Sequence, residues 1–290
     1  MFARPLDYPA DLPALDRLFG LCQSHDGHHP LSEHKYASLR RGDPHGDGFA
    51  VERERRIVGY VHLLESRRAG TFELEKAVEP PYRGLVDRDL LLAALEKVRR
   101  RDGEEVHAWV YQRGEARSLE DLGFELVRRL KQMRVALPVV DQTIPPGIEF
   151  RGYEPSDEAQ LLHIHNRAFE GHLEAGNWSP QDLHERQAYE WYDPAGLRTA
   201  WKGERLVAFC WTKVHSGGLG EIYLIATDPD QRGRGYGRAA ALEGLRFLNR
   251  RAGSTTGMLY VDAVNDGALR LYEQLGFRCH HTDLDFRLRI

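Results

Sequence analysis

The sequence predicts an α/β fold built from two tandem units, each a mixed twisted sheet flanked by helices. Three observations lead to this prediction. The chain has 290 residues, about twice the length of a usual domain. Segments of its first half return in the second half about 150 residues later. Within each half, strand-like and helix-like patterns alternate, which is typical of α/β units.

The repeat fixes the approximate boundaries of the two units. Residues 56–62 return as 205–211, 109–111 as 260–262, and the Leu-Gly-Phe of 122–124 as 275–277. Between the halves, residues 138–147 contain three prolines, which disfavour helix and indicate a linker. We therefore expect one domain over residues 1–137 and a second over residues 148–290.

Each half shows the same order of elements, and the second half shows it more clearly. Periodic apolar residues and glycine or proline boundaries predict four helices and five strands there. The helices are expected near 157–169, 180–189, 235–250 and 267–275, and the strands near 198–202, 205–215, 220–227, 256–262 and 283–288.

Composition narrows the class of protein. With 41% hydrophobic and 29% charged residues, the chain has the composition of a globular protein. No apolar run approaches the roughly 18 residues that cross a bilayer, and the first residues lack the apolar segment of a secretion signal. We expect a cytoplasmic protein without a membrane partner. The net charge of −4, with scattered basic residues, predicts no nucleic-acid partner.

The cysteines and histidines do not form a recognisable metal or disulfide pattern. Cys22, Cys210 and Cys279 are odd in number, far apart and without a Cys-x-x-Cys pair. The paired and clustered histidines lack matching cysteines or carboxylates at metal-ligand spacing. The sequence therefore predicts reduced thiols and no metal.

The most informative segment runs from a predicted strand into a predicted helix, over residues 221–238. It contains three glycines and three arginines, namely Gly233, Gly235, Gly237, Arg232, Arg234 and Arg238. Glycines let a backbone approach a ligand closely, and the free amides of a first helical turn favour phosphate. Neither a dinucleotide-binding Gly-x-Gly-x-x-Gly unit nor a Walker lysine is present. The segment predicts an anion-binding loop of another kind.

This loop, filled as Arg-x-x-Gly-x-Gly and followed by residues 261–265 and 271–277, resembles the GNAT acetyltransferases. The resemblance implies acetyl-CoA as co-substrate, with its pyrophosphate in the loop and its thioester beside the splayed end of the strand near 225–227. The residues implied in acetyl-CoA binding are Ile225, Ala226, Thr227, Arg232, Gly233, Arg234, Gly235, Tyr236, Gly237, Arg238, Asn265 and Arg270.

The first half shares this layout without the loop. Val86 and Arg88 stand where two of the glycines are expected, and Asp87 would repel phosphate. We therefore expect a degenerate GNAT-like domain in the first half and the catalytic domain in the second.

Residues 168–178, 211–215 and 218–223 resemble one branch of the family more closely. That branch acetylates the cysteinyl amine of cysteinyl-glucosaminyl-inositol, so the resemblance implies this small-molecule acceptor. The implied acceptor-binding residues are Glu33, Glu174, Lys213, Glu221 and Tyr260. Because Glu33 belongs to the first half, that half is expected to form part of the wall of the acceptor pocket.

The chemistry requires a base, and Glu221 is the candidate. An amine with a pKa near roughly 8 is largely protonated at neutral pH, so a carboxylate helps to remove its proton. Strand alternation places Glu221, Tyr223 and Ile225 on one face. The alternative is an ordinary glutamate facing solvent.

Tyr272 is the candidate acid for the departing coenzyme A sulfur. Asn265 and Tyr272 are seven residues apart, so both face one side of the last predicted helix. Asn265 would contact the pantetheine arm or cap the helix. The alternative for Tyr272 is packing in the core.

Two other functions remain open. One is a tandem acetyltransferase for another small amine, and the other is an acetyl-CoA-binding regulatory protein without turnover. The presence of both Glu221 and Tyr272 favours an enzyme. Two halves can pack on each other within one chain, which predicts a monomer.

Overall fold

A computed structural model describes residues 2–66, 68–111, 116–140, 143–170, 176–215 and 217–290. The chain divides into two compact units. Unit 1 comprises Met1–Arg129 and Asp283–Ile290, and unit 2 comprises Leu130–Thr282. Each unit is a sheet with helices packed on its faces, so the predicted α/β class is confirmed.

Helices and strands alternate along both halves. The α-helices in the described residues are α1 (Leu12–Asp26), α2 (Glu33–Arg41), α3 (Asp87–Arg100), α4 (Ala116–Glu120), α5 (Glu158–Ala168), α6 (Pro180–Gln187), α7 (Tyr236–Arg250) and α8 (Asp266–Gln274). The strands are β1 (Arg4–Pro5), β2 (Gly46–Arg53), β3 (Arg56–Glu65), β4 (Thr71–Val78), β5 (Glu105–Val110), β6 (Glu125–Ala136), β7 (Glu149–Gly152), β8 (Leu197–Lys202), β9 (Arg205–Val214), β10 (Leu219–Thr227), β11 (Thr256–Asp262) and β12 (Arg278–Arg289). The predicted elements of the second half lie close to these positions, and the short β7 was not predicted.

Unit 2 contains a mixed sheet in the order β7-β8-β9-β10-β11, completed by the Leu130–Ala136 part of β6. All neighbours are antiparallel except β10 and β11, which run parallel. Apolar side chains of α7 and α8 pack on one face of the sheet, and those of α5 and α6 pack on the other. This arrangement buries both faces of the central strands.

Unit 1 repeats the arrangement. Its strands follow the order β1-β2-β3-β4-β5, and the Leu284–Arg289 part of β12 pairs with β5. Here β4 and β5 are the parallel pair. Helix α3 packs on one face of the sheet, and α1 and α2 pack on the other.

The final strand of each half is placed differently from the sequence-based division. Residues 130–137 were expected in the first domain and residues 283–290 in the second. In the structure, Leu130–Ala136 pairs with β11 in unit 2, and Asp283–Ile290 belongs to unit 1. The physical reason is that β5 and β11 each need a partner on their open side to satisfy the backbone hydrogen bonds.

None of the helices in the described part of the chain is long and apolar enough to cross a membrane.

Candidate active site

The face of the unit 2 sheet on which α5 and α6 pack has a polar part, which carries three of the predicted acceptor residues. Lys213 on β9 is the direct cross-strand partner of Glu221 on β10. Tyr260 on β11 lies between Leu259 and Val261, whose side chains pack toward α7 and α8. Tyr260 therefore points to the opposite face, the one it shares with Lys213 and Glu221. The structure brings these three side chains to one surface.

Aromatic rings border this polar part of the sheet. The Nζ of Lys213 lies 4.8 Å from the ring centroid of Trp191 and 6.0 Å from that of Tyr223. The rings of Trp191 and Tyr223 are 4.8 Å apart, and both contact the buried Trp211. These cation–π contacts keep the lysine ammonium on the face of the sheet that also carries Glu221.

A β-bulge changes the predicted alternation along β10. The pairing of β10 with β9 shifts between Ile222 and Leu224. As a result, Tyr223 and Leu224 both pack on the α5 and α6 side, whereas Ile225 packs on the α7 and α8 side. The expectation that Ile225 shares a face with Glu221 was wrong, because the extra residue of a bulge reverses the alternation beyond it.

The parallel strands β10 and β11 separate just after Glu221. Their paired positions run from Leu219 to Ile222 on β10. Beyond Ile222, no strand of the described residues pairs with the β11-facing edge of β10, although the β9 side stays paired as far as Thr227. Residues 225–227, predicted to contact the acetyl-CoA, lie on this open edge, where backbone groups are available to a ligand.

Glu221 is nearly buried and has an unexpected neighbour. Its exposed fraction is 7%, and its Oε2 lies 2.6 Å from Nε2 of His215. His215 precedes β10 in the turn after β9, where its N–H donates to the Leu219 carbonyl at 2.9 Å. A glutamate placed in this way is not the solvent-facing residue of the alternative interpretation.

The predicted anion loop leads directly into α7. Gly233 and Gly235 adopt left-handed φ angles of 76° and 83°, which only glycine takes up readily. A Cβ on Gly237 would lie 2.9 Å from the Thr227 hydroxyl oxygen, so the glycine permits close packing of the helix start on β10. No side chain caps the α7 N-terminus, which leaves its first-turn amides suited to a pyrophosphate.

A buried carboxylate fixes the start of this loop. Asp228 accepts hydrogen bonds from the Asp230 N–H at 3.0 Å, from Arg167 at 3.2 Å and from Arg205 at 2.5 Å. Arg167 also pairs with Asp230. These contacts fix the turn that comes before the three glycines and the start of α7.

The predicted cationic side chains surround the loop with different exposures. Arg232, Arg234 and Arg270 are exposed, while Arg238 donates to Gln274 of α8. Tyr236 is the first residue of α7. Its ring is buried in the core, and Lys202 donates to its hydroxyl at 3.3 Å. The predicted phosphate contact of Tyr236 would therefore be made by its backbone N–H at the start of α7, and not by its ring.

Tyr272 lies on α8, whereas Asn265 is the N-cap residue that precedes the helix. The Oδ1 of Asn265 caps the helix by accepting from the Ala268 N–H at 3.1 Å. Tyr272 packs edge-on against Phe277, within the cluster that includes Ile225 and Cys210. Burial, with a smaller contribution from Cys210, raises the pKa of Tyr272, so its phenol stays protonated at neutral pH.

Of the other two predicted acceptor residues, the structure describes only Glu33. Glu33 is the first residue of α2 in unit 1 and is exposed. Glu174 lies outside the described residues. Among the described residues, no group of three His, Cys, Asp or Glu side chains is arranged to hold a metal ion.

The corresponding loop of unit 1 is filled by its own side chains. Asp87, at the first turn of α3, accepts from the Gly84 N–H at 2.6 Å and pairs with Lys76 at 2.5 Å. Glu73 occupies the third paired position of β4 with β5, as Glu221 does for β10 with β11. The buried Lys35 of α2 lies 2.7 Å from Glu73 and 3.2 Å from Glu75.

Sequence reasoning missed three polar residues of the site. Gln132 and Arg134 lie on β6, where Gln132 donates to the Tyr260 hydroxyl at 2.8 Å and accepts from Arg134 at 2.8 Å. Their assignment to the first half concealed them. His215 lies six residues before Glu221 with glycines between, a spacing that could have indicated a hairpin contact.

The glycine loop that leads into α7, the separation of β10 from β11 and the start of α8 are the features on which the predicted acetyltransferase site depends. Residues 159–277 match the family described as acetyltransferase (GNAT). The chain belongs to the GNAT acetyltransferases and is an acyltransferase, which confirms the predicted resemblance.

Curated relatives extend this similarity over nearly the whole chain. A protein named mycothiol acetyltransferase from Acidimicrobium ferrooxidans is 37% identical over 94% of this chain and 92% of its own. Another of that name from Thermomonospora curvata is 37% identical over 95% of this chain and 94% of its own.

Solved structures share the fold over both halves. A GCN5-related N-acetyltransferase from Sphaerobacter thermophilus has a TM-score of 0.78 at 24% identity, covering 99% of this chain and 95% of its own. A tandem GNAT protein from the clavulanic acid biosynthesis pathway has a TM-score of 0.76 at 16% identity, covering 99% and 98%.

Proposed function

We propose that the chain transfers the acetyl group of acetyl-CoA to the cysteinyl amine of cysteinyl-glucosaminyl-inositol, forming mycothiol. The observation that carries the chemistry is the nearly buried Glu221, set beside Lys213 where β10 and β11 separate. The acceptor is supported by the relatives named mycothiol acetyltransferase, which cover both halves of the chain.

Acetyl-CoA would bind across the α7 helix start and the open edge of β10. The amides at Gly235–Gly237 and the nearby arginines suit its pyrophosphate, and the unpaired edge at 225–227 suits the amide groups of its pantetheine arm. Asn265 and Arg270 of α8 complete the proposed donor site. When bound, the thioester supplies the acetyl group and its sulfur is the leaving group.

Glu221 is proposed to take a proton from the ammonium of the acceptor. The freed amine attacks the thioester carbonyl, the C–S bond breaks, and Tyr272 donates its proton to the departing sulfur. The attacking nitrogen loses its second proton as the amide forms, and this proton restores the Tyr272 phenol. Glu221 and Tyr272 lie toward opposite faces of the sheet, on the two sides of the opening between β10 and β11. Lys213, Tyr260, Glu33 and Glu174 are the proposed contacts of the acceptor.

Unit 1 is proposed to be degenerate as a catalyst, within a chain that acts as a monomer. Asp87 already accepts from the Gly84 N–H, an amide that would otherwise face phosphate. Lys35 pairs with Glu73, the counterpart of Glu221, and neutralises its charge. Both features are independent of the missing glycines.

Incubation with acetyl-CoA and a panel of amines, following consumption of acetyl-CoA and formation of product, tests the function. Cysteinyl-glucosaminyl-inositol should be the preferred acceptor, and Glu221→Gln should lower kcat on the order of 100-fold or more. The exposed Glu204→Gln serves as the matched control and should retain normal turnover. Preference for another amine would reject the proposed acceptor, and binding of acetyl-CoA without any turnover would indicate a regulatory protein.

A further inference from the structure

We propose that His215 is the proton outlet of Glu221 and thereby a positioning residue of the acetyl transfer. The proposal rests on the base role of Glu221 given above and concerns where the proton goes next. His215 lies in the turn of the β9–β10 hairpin and Glu221 lies on β10, and their side chains are in direct contact.

The contact is short and specific. Nε2 of His215 lies 2.6 Å from Oε2 of Glu221, within hydrogen-bonding distance. The side chain of Glu221 is 10% exposed, whereas that of His215 is 31% exposed. The carboxylate is therefore screened from water, and the imidazole reaches from the carboxylate toward solvent.

The turn between β9 and β10 fixes the histidine backbone. His215 donates its N–H to Leu219 at 2.9 Å, and its carbonyl accepts from the Gly218 N–H at 3.1 Å. Gly217 and Gly218 both take left-handed φ angles, of 86° and 80°. The chain can therefore close tightly enough to bring a residue six positions before Glu221 onto the same carboxylate.

The overall reaction requires such an outlet. An ammonium and a thioester become an amide and a thiol, and one proton is released in each cycle. The acceptor nitrogen loses two protons, of which the thiolate regains one. Glu221 must return to its carboxylate form before the next cycle. Its protonated Oε2 can pass the proton to Nε2 of a neutral His215 in the Nδ1–H tautomer, and the imidazolium then releases its Nδ1 proton to water.

Two substitutions separate this role from simple orientation of the carboxylate. His215→Ala removes the imidazole, and His215→Gln keeps a hydrogen-bond donor of similar size that cannot carry the proton. We expect both variants to lower kcat about 10- to 100-fold, with the KM values for acetyl-CoA and the amine changed by no more than about twofold. Added imidazole should restore part of the kcat of His215→Ala.

The matched control is His184→Gln. His184 also lies 2.6 Å from a glutamate, Glu158, in the same unit, but on an exposed surface between α6 and α5. It should leave kcat unchanged, and circular dichroism should show all three variants folded. An unchanged kcat in His215→Gln, or no effect of imidazole on His215→Ala, would overturn the proposal.

The same experiment separates this inference from the proposed function. If Glu221→Gln is inactive while His215→Gln turns over normally, the outlet is wrong and the base remains. If Glu221→Gln is fully active, the base role itself is wrong.

Discussion

Glu73 and Glu221 occupy matching positions in the two sheets, and their neighbours give them different chemistry. Glu221 has His215 as a hydrogen-bond partner and Lys213 across the strand pair. Glu73 faces the fully buried Lys35, which also holds Glu75. At the scale of single residues, the buried Lys35 makes the difference, because it holds Glu73 in a structural ion pair, whereas Glu221 is the proposed base.

This ion pair predicts a large loss of stability in Lys35→Met. Burial opposes ionisation of Glu75, but attraction to Lys35 and His34, together with hydrogen bonds from Ser32 and Tyr111, outweighs burial and lowers the pKa of the carboxyl. Removing the lysine leaves uncompensated buried carboxylates, and we expect a loss of about 3–5 kcal/mol in the free energy of unfolding at pH 7, measured by urea titration. Lys97→Met, which removes a partly exposed pair with Asp47, should cost only about 0–1 kcal/mol.

The pH dependence gives this prediction a sign. In the natural chain, the lowered carboxyl pKa contributes stability that is present above the unfolded pKa of about 4.3 and is lost as the pH falls through the folded value. Without Lys35, burial raises the carboxyl pKa, so protonation relieves the unpaired charge. The difference in stability should therefore shrink between pH 7 and pH 5. A difference that stays constant would contradict the ion-pair explanation.

Tyr272→Phe tests the proposed acid. The phenyl ring should keep the packing against Phe277, so the melting temperature should change little. Because burial keeps the phenol protonated, its removal deletes a proton donor, and kcat should fall on the order of 10- to 100-fold. Steady-state release of coenzyme A measures this change. Normal turnover would leave Tyr272 with a packing role alone.

At the scale of elements, the donor loop depends on backbone conformation rather than on side-chain contacts. Gly233 has φ 76° and Gly203, in the β8–β9 turn, has φ 60°, and neither would bring a Cβ near another atom. Gly233→Ala and Gly203→Ala should each lower stability by about 1–2 kcal/mol, as left-handed alanines do. Only Gly233→Ala should raise the KM for acetyl-CoA. Equal KM values in both variants would contradict the assignment of the loop.

These elements also show what a sequence can reveal. The glycine loop before α7 could be recognised because its glycines and arginines are neighbours in the chain, and α8 was predicted close to its observed position. The bulge at Tyr223 was not, because it depends on how two strands pair. For the same reason, the contact of Gln132 with Tyr260 requires knowing that β6 lies beside β11.

At the scale of the whole molecule, the exchanged strands decide which pieces of the chain can fold. A chain of residues 148–290 would lack the β6 segment that pairs with all seven residues of β11. It would also keep Asp283–Ile290 without its partner β5. Both consequences expose strand edges that readily pair with other chains.

We therefore expect a chain of residues 148–290 to aggregate, although it contains the glycine loop, Glu221 and Tyr272. A chain of Leu130–Thr282 has the complete unit 2 sheet and should be soluble, unfold cooperatively and bind acetyl-CoA. Size-exclusion chromatography, thermal denaturation and acetyl-CoA titration of the two chains compare them directly. If residues 148–290 prove equally soluble and stable, the β6–β11 pairing is dispensable. Aggregation of that chain alone would show that the catalytic unit begins in the first half of the sequence.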